Sequence, residues 1–244
     1  MSRERGDVDP AVLEKALAPA RAMHRYSRVE IEGIEHVPRG AAVVAANHTG
    51  WTGLDFSNLF VTLHDGLGRT VRTAVHPAFF RAPVVGTLAS KLGFFEVSVQ
   101  ESTEILDEGG LVLFFPEAEE GNFKPIWRRY KLEPFKPGFA RVALAAKVPI
   151  VPVVIVGGEE ANPSLFRIER FKDTLGLSLP VPLNLFPFPV KWRIKFCEPI
   201  DVTKYLGQES SVDSDVAETL ARDVERVMQR ELLRQVEKRG NPFF

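Results

Sequence analysis

The chain carries one cysteine in 244 residues, Cys197. A single thiol excludes an internal disulfide and any metal site built from several cysteines, and it fits a reducing compartment. No stretch approaches the roughly 18–20 uninterrupted apolar residues of a membrane-crossing helix. The charged start, MSRERGDVDP, lacks the apolar core of a secretory leader. Charge of one sign is also missing: 31 basic residues face 32 acidic ones, which leaves no electrostatic case for nucleic acid as a partner. Tyrosine is scarce, with 3 residues against 18 phenylalanines. Phenylalanine has no polar tip to satisfy, so this bias suits either a large apolar interior or a surface that meets lipid.

What is present is an alternation of helix and strand patterns. Residues 10–25 have helical spacing, weakened by Pro19. Residues 28–38 alternate like a half-buried strand, and AAVVAA at 41–46 reads as a strand covered on both faces. Helix 53–64, strand 70–76, helices 81–93 and 101–110, buried strand 111–117, helix 137–147 and strand 148–158 follow. Residues 191–200 alternate as an outer strand. An Asp-rich turn then opens a last helix at 213–238, with Val216, Leu220, Val224, Val227 and Leu232 at helical spacing. No linker, repeat or composition break divides the chain. The pattern predicts one α/β domain, a mostly parallel or mixed sheet flanked by helices. Its body is 28–244, and 1–27 is an N-terminal helical segment available for membrane contact.

Two inner strands end in residues of catalytic type: His48 after AAVVAAN and Glu117 after LVLFFP. Ligands of open α/β sheets collect at the carboxyl ends of strands, so both endings point to one cleft. His76 ends a third strand and reads as a hydrogen-bonded structural histidine ahead of Pro77. Asp55 stands seven residues beyond His48. In an unbroken helix the two would lie about 10 Å apart. The loop through Gly50 and Gly53 must therefore curl back if they are to bond. A carboxylate on one imidazole nitrogen fixes the tautomer and frees the other nitrogen to take a proton. On the residues alone, such a dyad and a plain helix-capping histidine stand equal.

NHTGWTGLD at 47–55 resembles the first motif of the lysophospholipid acyltransferase (PlsC-like) superfamily. FFPEAEEGNF at 114–123 resembles that family's Phe-Pro-Glu-Gly motif, and VPIVPVVIVG at 148–157 its Val-Pro-Ile-Val-Pro-Val motif. HPAFFRAPVVGTLASKLGFF at 76–95 follows the segment leading into the second motif. Order and spacing are those of the family across residues 28–200. The resemblance implies a glycerolipid acyltransferase-like fold and transfer of a fatty acyl group from acyl-CoA or acyl carrier protein to a lipid hydroxyl. His48 would act as general base and Asp55 would orient it. Glu117 would help position the acceptor, with Asn47, Thr49 and Gly50 of the first motif on the substrate-binding side. No bound cofactor and no metal are implied, the acyl thioester being a co-substrate. Membrane lipids are the implied partners, with acyl carrier protein where it delivers the acyl group, and the cytoplasmic membrane face is the implied location.

The chain departs from the family pattern in three places. The usual aspartate position falls on Gly53, the glycine of the third motif is Ala118, and GFFEVSVQ at 93–100 lacks the arginine that grips the acceptor phosphate. YKLEPFKPGFARVAL at 130–144 is closer to the neutral-lipid and phytyl-ester branch. The acceptor thus stays open between phosphate-bearing and neutral lipids. Lys124, Arg128, Arg129, Lys131, Lys136 and Arg141 face only Glu133 across 124–141. Arg128, Arg129 and Lys131 are the foremost candidates to hold donor phosphates, an acidic carrier or anionic headgroups. The alternative is a solvated loop, and Arg141 is expected to be buried. LSLPVPLNLFPFPV at 177–190 has four prolines and no charge, which predicts an irregular apolar loop. Its Leu183, Leu185, Phe186 and Phe188, followed by Trp192, either lie under other elements or meet a bilayer or the acyl chain. The same residues leave two further readings open, hydrolysis of an acyl thioester or ester and lipid binding without turnover.

Overall fold

Every residue of strand β2 (Ala42–Ala46) is buried. Val43 and Ala45 belong to one apolar layer and Ala42, Val44 and Ala46 to the other. A strand has a two-residue period, so a strand without a polar side chain is stable only where both sheet faces are covered. The computed structural model, which describes residues 8–80, 83–168, 179–206 and 214–244, places β2 at the centre of a sheet. The other strands of that sheet are β1 (Glu30–Glu32), β3 (Val71–Val75), β4 (Phe94–Glu96), β5 (Leu111–Phe114), β6 (Ile150–Val156) and β9 (Arg193–Phe196). The order is β1-β9-β6-β2-β5-β3-β4. Strands β6, β2, β5, β3 and β4 run parallel, with Val44 level with Leu113 on one side and Val151 on the other. Strand β9 runs antiparallel to β6 and parallel to β1. Strands β7 (Ser164–Ile168) and β8 (Leu179–Pro182) pair with each other as a separate antiparallel hairpin.

Helices cover both faces, as the sequence pattern predicts. On one face, α4 (Val99–Asp107), α6 (Gly138–Ala146) and α8 (Ser214–Arg239) set Ile105, Phe139, Leu144, Leu220 and Val224 against Val43, Val112 and Val154. On the other, α2 (Leu54–Leu67) sets Leu59 and Leu63 against Val44, Leu113 and Ile155. Helix α1 (Pro10–Tyr26) lies outside α2, with Leu13 and Leu17 on Phe60 and Val61. It runs unbroken through Pro19. Asp9 caps its first turn, and Arg21 clamps Asp65 of α2 at 2.7 and 2.9 Å.

Several elements differ from the sequence expectation, each for a physical reason. The strand expected over 28–38 is only β1, because Gly33 at φ 79° turns the chain into a helical turn at Ile34–His36. The strand expected over 191–200 is β9, and it is not at the edge of the sheet. Its polar positions, Arg193 and Lys195, point to Glu30 and Glu32 of β1 rather than to solvent, so the alternation came from cross-strand ion pairs. Part of the apolar loop expected over 177–190 is strand β8; residues 177–178 lie outside the described residues, as does most of the Asp-rich turn before α8. Trp192, expected either under other elements or against a bilayer or the acyl chain, is buried, 1% exposed. A Cβ on Gly157 would fall 2.8 Å from Trp192 Cγ, so the indole is clamped beneath that turn.

Candidate active site

His48 and Glu117 leave the carboxyl ends of neighbouring strands β2 and β5, as expected for a cleft in a parallel sheet. After His48 the chain curls back over the start of α2. Gly53 makes that possible: it precedes the helix at φ 72°, a left-handed conformation that glycine enters without a Cβ penalty. Asp55 thereby sits in the first turn of α2, 1% exposed, beneath His48. Its Oδ2 lies 2.8 Å from His48 Nδ1 and accepts the Thr49 N–H at 3.0 Å; its Oδ1 accepts the Phe56 N–H at 2.7 Å. A carboxylate so placed requires Nδ1 to carry the proton, leaving Nε2 as the basic nitrogen. No described residue bonds Nε2. Phe115 stacks on the imidazole with centroids 4.2 Å apart, and Phe56 and Phe94 extend the aromatic wall.

Asn47 and Glu117, expected to meet substrate, instead serve the protein's own backbone. Asn47 is 1% exposed; its Oδ1 accepts from Ile155 N at 2.7 Å and its Nδ2 donates to Ile155 O at 3.0 Å, locking β2 onto β6. Glu117 is fully buried. Its Oε1 accepts the backbone N–H of His48 at 3.1 Å, and its Oε2 accepts that of Glu133 at 2.7 Å. Thr49 is also buried, its hydroxyl pressed against Gly158, where a Cβ would come within 2.2 Å. Gly50 rests on the Gly158 carbonyl.

Lys124 is not a member of an exposed patch. It is buried, with Nζ 3.3 Å from Glu117 Oε2, 3.2 Å from Glu159 Oε1 and 3.0 Å from the Lys131 carbonyl. Burial pushes the Glu117 carboxyl above its ordinary value, against the pull of Lys124, the Glu133 N–H and His48. Burial raises Glu159 likewise, again opposed by Lys124. For Lys124 burial works to lower the ammonium, yet the Glu159 and Glu117 carboxylates hold it above the ordinary lysine value. Glu159 lies in the short helix α7 (Gly158–Ala161) and also accepts the Tyr130 N–H at 3.0 Å. Its neighbour Glu160 pairs with Arg239 and with the Tyr130 hydroxyl, which burial and Glu160 push up to about 12. Sequence reasoning missed both glutamates. The available signal was two acids directly behind a wholly apolar strand, where buried charge demands partners.

The other basic residues are dispersed. Arg128 pairs with Glu133 at 2.9 Å, Arg129 lies 5.4 Å over the Tyr130 ring, and Lys136 reaches Glu120 at 3.5 Å. Lys131 is exposed, and so is Arg141, contrary to the expected burial. His76 is exposed at the end of β3. Ala118, where the third motif departs from glycine, has φ 52°, a left-handed conformation in which glycine carries no strain.

The fold and site define a class: an open, mainly parallel α/β domain with a histidine–carboxylate dyad at the mouth of its central strand. Known proteins give that class its family. The sequence profile described as Acyltransferase matches residues 28–156, and the chain belongs to that family. A Mycobacterium tuberculosis (strain ATCC 25618 / H37Rv) protein, itself uncharacterized, is 36% identical over 232 residues; these cover 90% of this chain and 64% of that protein. The present chain thus spans under two thirds of that relative's length. A Mus musculus protein named DGAT1/2-independent enzyme synthesizing storage lipids is 30% identical over 188 residues, covering 74% of this chain and 54% of its own. The fold matches the crystal structure of the 1-acyl-sn-glycerophosphate (LPA) acyltransferase PlsC from Thermotoga maritima. That match has a TM-score of 0.60 and 20% identity over 92% of this chain and 80% of that one.

Proposed function

We propose that this chain transfers a fatty acyl group from a thioester, acyl-CoA or acyl carrier protein, to a hydroxyl of a glycerolipid. The observation that carries the reading is the 2.8 Å contact of His48 Nδ1 with Asp55, which leaves Nε2 as the basic nitrogen at the end of β2. Nε2 takes the proton of the acceptor hydroxyl as its oxygen attacks the thioester carbonyl. The tetrahedral intermediate then expels the thiolate, which recovers that proton from the imidazolium. An ester and a free thiol result, and Asp55 stabilises the transient imidazolium. The Phe56, Phe94 and Phe115 wall gives the acyl chain an apolar side to lie against. Arg128, Arg129 and Lys131, on the exposed segment after Lys124, suit the phosphates of the donor.

The absence of an arginine from 93–100, together with the storage-lipid relative, favours an acceptor held without a phosphate clamp. Labelled acyl-CoA incubated with lysophosphatidic acid, monoacylglycerol and diacylglycerol tests this directly. Ester formation dependent on an added acceptor is expected. Free fatty acid produced at the same rate whatever the acceptor would replace transfer with hydrolysis.

A further inference from the structure

The hairpin β7–β8 is a two-stranded sheet, a unit of marginal stability in water on its own. It leaves Phe166 half exposed, and the loop behind it adds Leu185 at 84% and Phe186 at 66% exposure, with Leu183 and Phe188 beside them. The loop is tied down by its backbone while these side chains stay outside. Leu183 N donates to Pro163 O, Phe188 N to Ala161 O, and the Asn184 amide to the carbonyls of Ala161 and Phe186, all within 2.7–2.9 Å. Tyr26, the last residue of α1, packs edge-on against Phe186 and donates to Pro187 O at 2.8 Å. Arg28 donates to the carbonyls of Pro189 and Phe243, which brings the exposed C-terminal phenylalanines alongside. Three separate parts of the chain thus contribute to one apolar surface, beyond what scattered exposed residues produce on a soluble protein.

The chemistry of this surface selects its occupant. Two of the four residues of β8 are prolines, without an N–H to offer a further strand, which disfavours β-augmentation by a protein partner. Across 179–191 the sequence holds one charge, Lys191. Arg28, exposed beside the loop, donates to backbone carbonyls there, and Lys191 shares the single carboxylate of Glu30 with Arg193. Apolar side chains bordered by Arg28 and Lys191 match an acyl interior beneath anionic headgroups. The surface is joined to the candidate site through one short element. Helix α7 and Asn162 stand between them, with the Gly158 carbonyl against Gly50 and Thr52 Oγ1 3.4 Å from Asn162. No described helix is long and apolar enough to cross a membrane, so this surface would act by lying on one.

We infer that the β7–β8 hairpin and the 183–188 loop, with Tyr26 and the C-terminal phenylalanines, dock on an anionic lipid bilayer and set the mouth of the site against it. The use of the docked surface rests on the acyl-transfer reading, whereas the docking does not. The test is flotation of the full chain with vesicles of phosphatidylcholine, alone or mixed with phosphatidylglycerol. The wild type should float with the mixed vesicles, less so as salt rises. Leu185→Asp combined with Phe186→Asp should cut the bound fraction by at least about tenfold, while circular dichroism and melting stay those of the wild type. Leu233→Asp, the same change at an exposed leucine of α8, should leave flotation unaltered. The inference falls if the wild type floats with neither vesicle or the double variant floats as well as the wild type. It also falls if the wild type does not float but forms a dimer, by sedimentation, that the double variant loses; a second copy would then cover the surface. Intact flotation without turnover on any acceptor would instead sink the acyl-transfer reading and leave the docking surface standing.

Discussion

The backbone N–H of His48 donates to Oε1 of Glu117 across 3.1 Å, so the candidate base is held by two carboxylates at once. Asp55 takes its ring nitrogen, and Glu117 takes its main chain. The two act at different levels. Asp55 fixes the tautomer and tilt of the ring, whereas Glu117 fixes where the imidazole stands.

Asp55→Asn tests the first. The amide keeps the size of the carboxylate but cannot support an imidazolium, so kcat for thiol release from acyl-CoA should fall by about 10²–10⁴-fold. Melting should change little by comparison. A rate within about threefold of wild type would remove Asp55 from the dyad role.

Lys124→Met tests the second. It strands Glu117 and Glu159 as buried carboxylates without their cation, and such a loss costs about 3–5 kcal/mol. The sign with pH is fixed by their raised values. Carboxyls with a folded pKa above the unfolded one contribute stability that is full below about 4.3 and lost as pH rises through the folded value. The melting deficit of Lys124→Met should therefore be larger at pH 8 than at pH 5. In the wild type the raised Lys124 ammonium works at the alkaline end. Its contribution is complete below about 10.4 and is lost as pH climbs through the folded value. An equal deficit at both of these pH values would overturn this account of the cluster.

Ala118→Gly should stabilise the protein, although it removes a methyl group. Ala118 holds φ 52°, which costs an L-residue about 1–2 kcal/mol. Part of that gain is offset by the greater freedom of glycine in the unfolded chain. A net gain of about 0.5–1 kcal/mol, read by denaturant titration, is the expected outcome. A lower midpoint would show that the methyl packs better than the backbone strain suggests.

Gly158→Ala should act at a distance on the dyad. Its Cβ would meet Thr49 Oγ1 and Thr49 O at 2.2 and 2.3 Å, so the loop must give way. Overpacking of this kind costs about 1–3 kcal/mol. Because Thr49 N–H is bound to Asp55, kcat should fall together with the melting temperature. Unchanged turnover would uncouple α7 from the site.

The sequence made the fold class, the strand–helix order and the His48–Asp55 pair legible because each has a local signature. Apolar runs mark the inner strands, and the glycines at 50 and 53 allow the loop to curl back. What escaped depends on contacts that only the folded chain brings together. Lys124 reads as one more cation in a basic stretch until Glu117 and Glu159 close around it. The polar positions of β9 read as solvent-facing because nothing local reveals that Glu30 and Glu32 lie opposite. Asn47 and Glu117 carry the chemistry of ligand-binding residues, yet backbone groups from β6 and the 133 region take up their polar atoms. Trp192 sits beside an apolar segment whose exposure did not extend to it, because the turn at Gly157 closes over the indole.

The placement of β9 has a practical consequence. Although the family match ends at residue 156, β6 has its outer neighbour at 193–196 and α8 packs over Val154 and Val156. A chain cut where the match ends would bare a long apolar strand edge, the kind of template on which molecules aggregate. Asn47 is bonded to that same strand, so the damage would reach the dyad loop. The stretch that carries the family motifs is therefore not a module that can be excised from the rest.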